Sequence, residues 1–188
     1  MSKICPSPTE CMQLMAEHQM LPNIREHSLR VREAALMVGE ALVEAGCQLH
    51  LSLLEAGALL HDIAKTTCLR NGGDHAQLGA EWLQDYGYPE VAEIIRGHVY
   101  LPTRVRESPR ICEAEVVNYA DKRVMHTQVV PLEVRFADLR NRYGRNDQAR
   151  QRITELERRT RRLEDKLFAP LSLNPPDLLC INDSWRAV

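Results

Sequence analysis

Between Leu53 and Ala64 the chain reads Leu-Leu-Glu-Ala-Gly-Ala-Leu-Leu-His-Asp-Ile-Ala, apolar on almost every helical face until an imidazole and a carboxylate arrive side by side. A helix without a polar stripe has to lie at the centre of a bundle, with other elements packed around it. His61 and Asp62 then stand where their neighbours demand a core. An unpartnered carboxylate in such a place loses several kcal/mol of hydration, roughly, or gives up its charge. A cation beside the pair resolves the conflict, and both side chains are good ligands for a divalent metal. Being about 100° apart around the helix axis, they can leave the end of the helix together and converge on one ion.

The rest of the chain is compatible with a helical bundle around that element. Aromatic residues make up 5% of the 188 residues, and Leu, Ala, Arg and Glu are frequent, which favours an all-α protein of one well-buried core with a C-terminal appendage. A first helix is expected from Pro8 to about Gln19, and a long one from Asn23 through Ala45. The latter's apolar positions (Ile24, Leu29, Val31, Ala34, Ala35, Val38, Ala41, Leu42) follow helical spacing. The central helix should span about Ser52 to Lys65. Asn71-Gly72-Gly73-Asp74 reads as a loop, with Asp74 capping a helix from His75 to Gln84. Gly87-Tyr88-Pro89 reads as a turn into a helix that ends at Gly97, followed by a loop at Leu101-Pro102-Thr103. Further helices are expected over Ser108–His126, Pro131–Tyr143 and Asn146–Phe168, and 170–188, with Pro175-Pro176, reads as an extended tail.

Charge is unevenly placed. The net charge is −2, which argues against nucleic acid as a partner of the whole chain, yet eleven basic and six acidic residues fall between Arg135 and Lys166. That segment suits a solvated helix laced with i,i+4 pairs such as Glu155–Arg159 and Glu157–Arg161. Its seam of Ile153, Leu156, Thr160, Leu163 and Leu167 suits packing on the domain body or on a second subunit, as in a homodimer. Six scattered cysteines without a Cys-x-x-Cys pair point to reduced thiols rather than a zinc ribbon. The start of the chain is polar, and the longest apolar segment is roughly half of what a bilayer span needs, so a soluble, cytoplasmic protein without membrane contact is expected.

Partners for His61 and Asp62 must come from other elements. His27, His75, His98 and Asp121 are candidates, and no two of them share a helix face at i,i+4 spacing, so tertiary packing has to assemble the site. His18, His50 and His126 fit no pattern and read as surface residues, with His126 near enough to Asp121 to support it. Imidazoles mixed with carboxylates suit Mn, Fe, Co, Ni or Zn better than Ca. Lys65, at i+3 from Asp62 and i+4 from His61, faces the same way; its alternative role is an ion pair with Asp62. Arg30 stands one turn beyond His27. Lys122 and Arg123 follow Asp121 directly and cannot both point inward; Arg123 is the candidate for a phosphate, with a surface role as the alternative.

The succession His27, His61-Asp62, Asp121 resembles the H…HD…D signature of the HD-domain metal-dependent phosphohydrolases, an all-α superfamily. The likeness runs from about Asn23 to Asp121, and His61-Asp62-Ile63-Ala64-Lys65 is close to the family's commonest wording. His75 and His98 resemble the extra histidines of the two-metal subgroup, which includes bacterial HD-domain diadenosine tetraphosphatases and cyclic-di-GMP phosphodiesterases. Gly87-Tyr88-Pro89 spells a tripeptide of the cyclic-di-GMP enzymes, but the His-His-Glu block that precedes it there is missing here.

The resemblance implies an HD domain over residues 1–130, with C-terminal helices and tail over 131–188. It implies one metal held by His27, His61, Asp62 and Asp121, and a second held by His75 and His98 with Asp62 bridging. It further implies hydrolysis of a phosphate ester or anhydride in a nucleotide or dinucleotide by a metal-activated hydroxide, with Asp62, Lys65 and Arg30 as the catalytic residues. A different class of function stands beside it: a nucleotide-sensing or RNA-associated module that keeps the fold and binds its partner through the basic segment.

Overall fold

The computed structural model describes residues 5–184. Helix α1 (Pro8–Glu17) is held at its start by a capping box between Ser7 and Glu10, and α2 (Pro22–Glu44) begins with proline at a position where the missing N–H costs nothing. The central apolar run forms α3 (Leu51–Leu60). It stops earlier than its pattern predicts: residues 61–64 form a turn, and a separate short helix α4 (Lys65–Asn71) follows before the Gly-Gly loop. Breaking the helix at His61-Asp62 lets both side chains leave the packed layer.

Asp74 accepts from the backbone N–H groups of Ala76 and Gln77 and so caps α5 (His75–Asp85) as its sequence predicts. Gly87 takes a φ of +83°, open to glycine without strain, and Pro89 starts α6 (Pro89–Gly97). The helix expected over 108–126 is instead shortened at both ends. A single turn, α7 (Thr103–Arg106), lies in the region read as loop, and α8 covers only Glu113–Arg123. Val124 then enters a small antiparallel hairpin, β1 (Val124–Met125) with β2 (Gln128–Val129), pairing Val124 with Val129. The β-branched valines favour the extended chain, and His126 makes the tight turn with a φ of +57°. Helices α9 (Leu132–Tyr143) and α10 (Asp147–Phe168) follow, the second capped by Asn146.

The C-terminal segment is not an extended tail. A 3₁₀ turn (Pro175–Cys180) and a last helical turn, α11 (Ile181–Ser184), bury Leu178 and Ile181 in the core. Asn182 exchanges two hydrogen bonds with the backbone of Val129, at 2.8 and 2.9 Å, and Arg123 donates to the Pro175 carbonyl at 2.9 Å. The proline pair starts this turn rather than preventing it, since proline is tolerated at the first helical positions. Residues 185–188 of the expected tail lie outside the described residues.

Helix α3 lies against α1, α2, α6 and α8, with α5 packed on α6 and α10 on both α8 and α9. Gly57 lets α6 approach closely: a Cβ there would meet Ile94 Cγ2 at 2.7 Å. All six cysteines are free, and burial pushes the Cys11 thiol up to about 12. No described helix is long and apolar enough to cross a membrane.

Candidate metal centre

The packing of α2, α3, α5, α6 and α8 brings all six candidate ligands together as two groups of three: His27, His61 and Asp121, and Asp62, His75 and His98. Within each group the ligand atoms lie within 4.8 Å of one another. His27 Nε2 is 3.1 Å from Asp121 Oδ1, and His61 Nε2 is 3.7 Å from the same oxygen. In the second group Asp62 Oδ1 lies 3.2 Å from His75 Nε2 and 3.6 Å from His98 Nε2. The other oxygen of Asp62 turns back to His61 Nε2 at 3.4 Å. One carboxylate therefore presents an oxygen to each group.

The ring tautomers are fixed from behind. His27 Nδ1 donates to the His126 carbonyl at 2.9 Å, His61 Nδ1 to the Ala58 carbonyl at 2.8 Å and His98 Nδ1 to the Ile95 carbonyl at 2.7 Å. A carbonyl can only accept, so in the neutral rings the proton stays on Nδ1 and the Nε2 lone pairs face the centre. Two consequences follow from burial. His61 is 0% exposed and Asp62 1%, and neither His61 Nε2 nor Asp62 Oδ1 has a partner with hydrogen-bond geometry. Orphaned acceptors in a core are costly, and lone pairs directed at a common point fit a divalent cation.

Electrostatics agree with that reading. Burial alone would raise the Asp62 carboxyl, but the charge of His61 and the rings of His75 and His98 outweigh it and hold the group well below the usual range. Burial likewise opposes ionisation of Asp121, and Lys122, His27 and His61 reverse the effect. His61 is raised: burial acts to lower it, but Asp62 and Asp121 together prevail. His98 is lowered by burial, with His61 adding to the effect, so its ring is neutral and ready to donate a lone pair.

Lys65 Nζ donates to Asp62 Oδ2 at 2.6 Å, the ion pair that its spacing allows, while its side chain stays 39% exposed. Together with His75, at 26%, it marks the open side of the centre. Burial would lower the Lys65 ammonium, but Asp62 and Asp121 raise it, and Arg135 of α9 is near enough to oppose them. Arg30 is not brought to the ligands in the way its position beyond His27 suggests. It is fully buried and donates to the carbonyls of Thr127, at 2.9 Å, and Ile181, at 2.8 Å, and pairs with Glu33 at 2.6 Å, clamping the hairpin and α11 onto α2.

Lys122 and Arg123 are both inward, contrary to the expectation that only one could be, because the core surrounds α8 on two faces. Arg123 joins Tyr119, one turn earlier, and donates to Glu164 of α10 at 3.3 Å, so it faces α10 and not a phosphate. Lys122 reaches the centre, donating to Asp121 Oδ2 at 2.9 Å and to the His98 carbonyl at 2.6 Å. Asn118, one turn before it, donates to the carbonyls of Gly97 and His98 at 3.0 and 2.9 Å. The i,i+4 spacing of Asn118 and Lys122 around Asp121 was the signal for this supporting pair. His50 and His126 are exposed, the latter supporting His27 through its backbone, and His18 stacks on Trp82 at 4.0 Å.

The chain is similar to several known proteins. A sequence profile of the HD domain matches residues 24–125, more than half of the chain. An uncharacterized protein of Methanocaldococcus jannaschii is 28% identical over 143 residues, covering 70% of this chain and 83% of that one. Ribonuclease Y of Aquifex aeolicus is 34% identical over 100 residues, and ribonuclease Y of Fervidobacterium nodosum 34% identical over 99. In both, the shared stretch is only 17% of the ribonuclease's length. Among solved structures, that of a predicted HD superfamily hydrolase from an uncultured Thermotogales bacterium aligns over 88% of this chain and 93% of its own, with a TM-score of 0.47 and 21% identity.

Proposed function

Since the chain belongs to the HD domain family, we propose that it is a metal-dependent phosphohydrolase acting on a phosphate ester or anhydride of a nucleotide or dinucleotide. The observation that carries the reading is the shared carboxylate: Asp62 offers one oxygen to each of two ligand groups, and its Oδ1 and His61 Nε2 are buried without hydrogen bonds. Mn, Fe, Co, Ni or Zn suits this mixture of imidazole and carboxylate donors. When bound, such cations acidify water and offset charge on phosphoryl oxygens.

The chain's own residues supply the rest. His27, His61 and Asp121 would hold one ion and His75 and His98 the other, with Asp62 between them. Lys65, exposed at the mouth, would meet phosphoryl oxygens as negative charge develops, and Arg135 adds a second positive charge nearby. Lys122 and Asn118 position Asp121 and the His98 backbone and so act through the ligands. Arg30 has a structural role in this account.

The test is hydrolysis in ¹⁸O-labelled water by metal-loaded protein, given mononucleotides, cyclic dinucleotides and dinucleoside polyphosphates. Label in the released phosphate or phosphomonoester is expected; no turnover of any substrate overturns the reading. The stretch shared with ribonuclease Y favours a second reading, in which RNA is the substrate or partner. A short single-stranded RNA in the same panel distinguishes the two.

A further inference from the structure

A cavity of about 270 Å³ opens between α10 and the segment 99–107, and none of the six candidate ligands lines it. Its walls are apolar, from Val99, Leu101, Leu156 and Leu163, and Tyr100 sits exposed at the rim. Its polar floor includes Asn118 and Thr160, both buried. The Asn118 amide nitrogen is spent on backbone carbonyls, while its amide oxygen accepts no hydrogen bond from the described residues. That leaves an acceptor at the floor for an N–H or O–H donor.

The lining carries five basic side chains, Arg106, Arg158, Arg159, Arg162 and Lys166, against two carboxylates, Glu107 and Glu115. Several arginines of α9 and α10 pair with carboxylates, Arg140 with Glu157, Arg142 with Asp138, and Arg161 with Glu133 and Glu157, while Arg152 has no ion pair among the described residues. Around the cavity, Arg158 and Arg159 share the single carboxylate of Glu155. Arg106 donates only to neutral acceptors, the Leu101 carbonyl and Thr103 Oγ1, and Arg162 has no partner among the described residues. Lys166 is committed to Glu115 at 2.6 Å. Guanidinium groups with free N–H donors above an apolar slot suit a phosphate attached to a flat ring.

We infer that this cavity binds a nucleoside phosphate at a second site, separate from the metal centre, with the phosphates on Arg106 and Arg162 and the base between the leucines. The volume of about 270 Å³ is on the scale of one small molecule. The site touches the metal centre through Asn118, which lines the cavity and holds the carbonyl of His98, and through Val99, which follows His98 in the chain. Occupancy is therefore expected to alter the His98 loop.

The experiment titrates ADP into metal-loaded protein by calorimetry and maps it by amide hydrogen exchange. The expected result is protection over 99–107 and 156–166, and a loss of affinity of about tenfold or more in an Arg106→Ala/Arg162→Ala variant whose metal content is unchanged. Arg162→Glu alone, at an exposed position without a partner among the described residues, gives the same direction with no demand on folding. Protection confined to peptides carrying the metal ligands, unchanged affinity in both variants, or no binding at about 1 mM ADP overturns the proposal. So does a single-stranded RNA oligomer that binds through these arginines while ADP does not. Metal content and hydrolysis are measured separately, so failure here leaves the reading of the metal centre standing.

Discussion

The ligand cluster and the α9–α10 hairpin are both rich in charge, yet they solve opposite problems. In the cluster, an imidazole and a carboxylate are wholly buried and keep acceptor atoms without partners. On the hairpin, acids and bases face solvent and pair within one turn, as in Glu155 with Arg158 and Arg159. A surface pair contributes little because water already solvates both charges. A buried acceptor without a partner is costly, so a site that keeps two, His61 Nε2 and Asp62 Oδ1, is built for a ligand. The difference locates function by the unmet demand of buried groups, not by the density of charge.

The largest expected effect comes from removing the group that joins the two triads. Asp62→Ala should lose both metals and lower hydrolysis by more than about a hundredfold, since the change removes a ligand rather than a supporting contact. Elemental analysis and circular dichroism together check it; wild-type metal content in a folded variant would break the contrast drawn above. Next is Arg30→Met, which should cost about 3 kcal/mol in denaturant unfolding because the carbonyls of Thr127 and Ile181 and the carboxylate of Glu33 lose their donor. Metal content should stay at the wild-type level, which separates a clamp from a catalytic residue.

A smaller effect is the pH dependence of metal affinity. His61 has a raised pKa, so near pH 6 it holds a proton that a metal must displace, whereas burial lowers His98. Affinity measured by chelator competition should therefore rise about tenfold or more from pH 6 to pH 8, with proton release. A flat profile would mean that His61 does not bind the ion. The smallest effect belongs to the hairpin. Glu155 lies at the surface and its pKa is lowered to about 2 by Arg158 and Arg159, yet Glu155→Gln should leave the melting temperature within experimental scatter. A clear drop would show that the surface network carries stability after all.

Periodicity and caps made α2, α5, α6, α9 and α10 legible in the sequence, because each has an apolar stripe bounded by Pro, Asp, Asn or Gly. The pairs Glu155–Arg159 and Glu157–Arg161 were readable from spacing alone. The break after Leu60 was not, because the local pattern of His61 to Lys65 is still helical and only the convergence of ligands requires a turn. The valines that form the hairpin also fit a helix by spacing, and their extended state depends on Asn182, far along the chain. Order along the chain could nominate six ligands. It could not assign Arg30 to a clamp and Lys122 to the centre, because the partners of both come from distant segments.

Anomalous diffraction from metal-loaded crystals tests the central claim most directly. The account predicts two peaks per chain, one among His27, His61 and Asp121 and one among His75 and His98, with the Asp62 carboxylate between them. A single peak, or peaks away from these side chains, would contradict it.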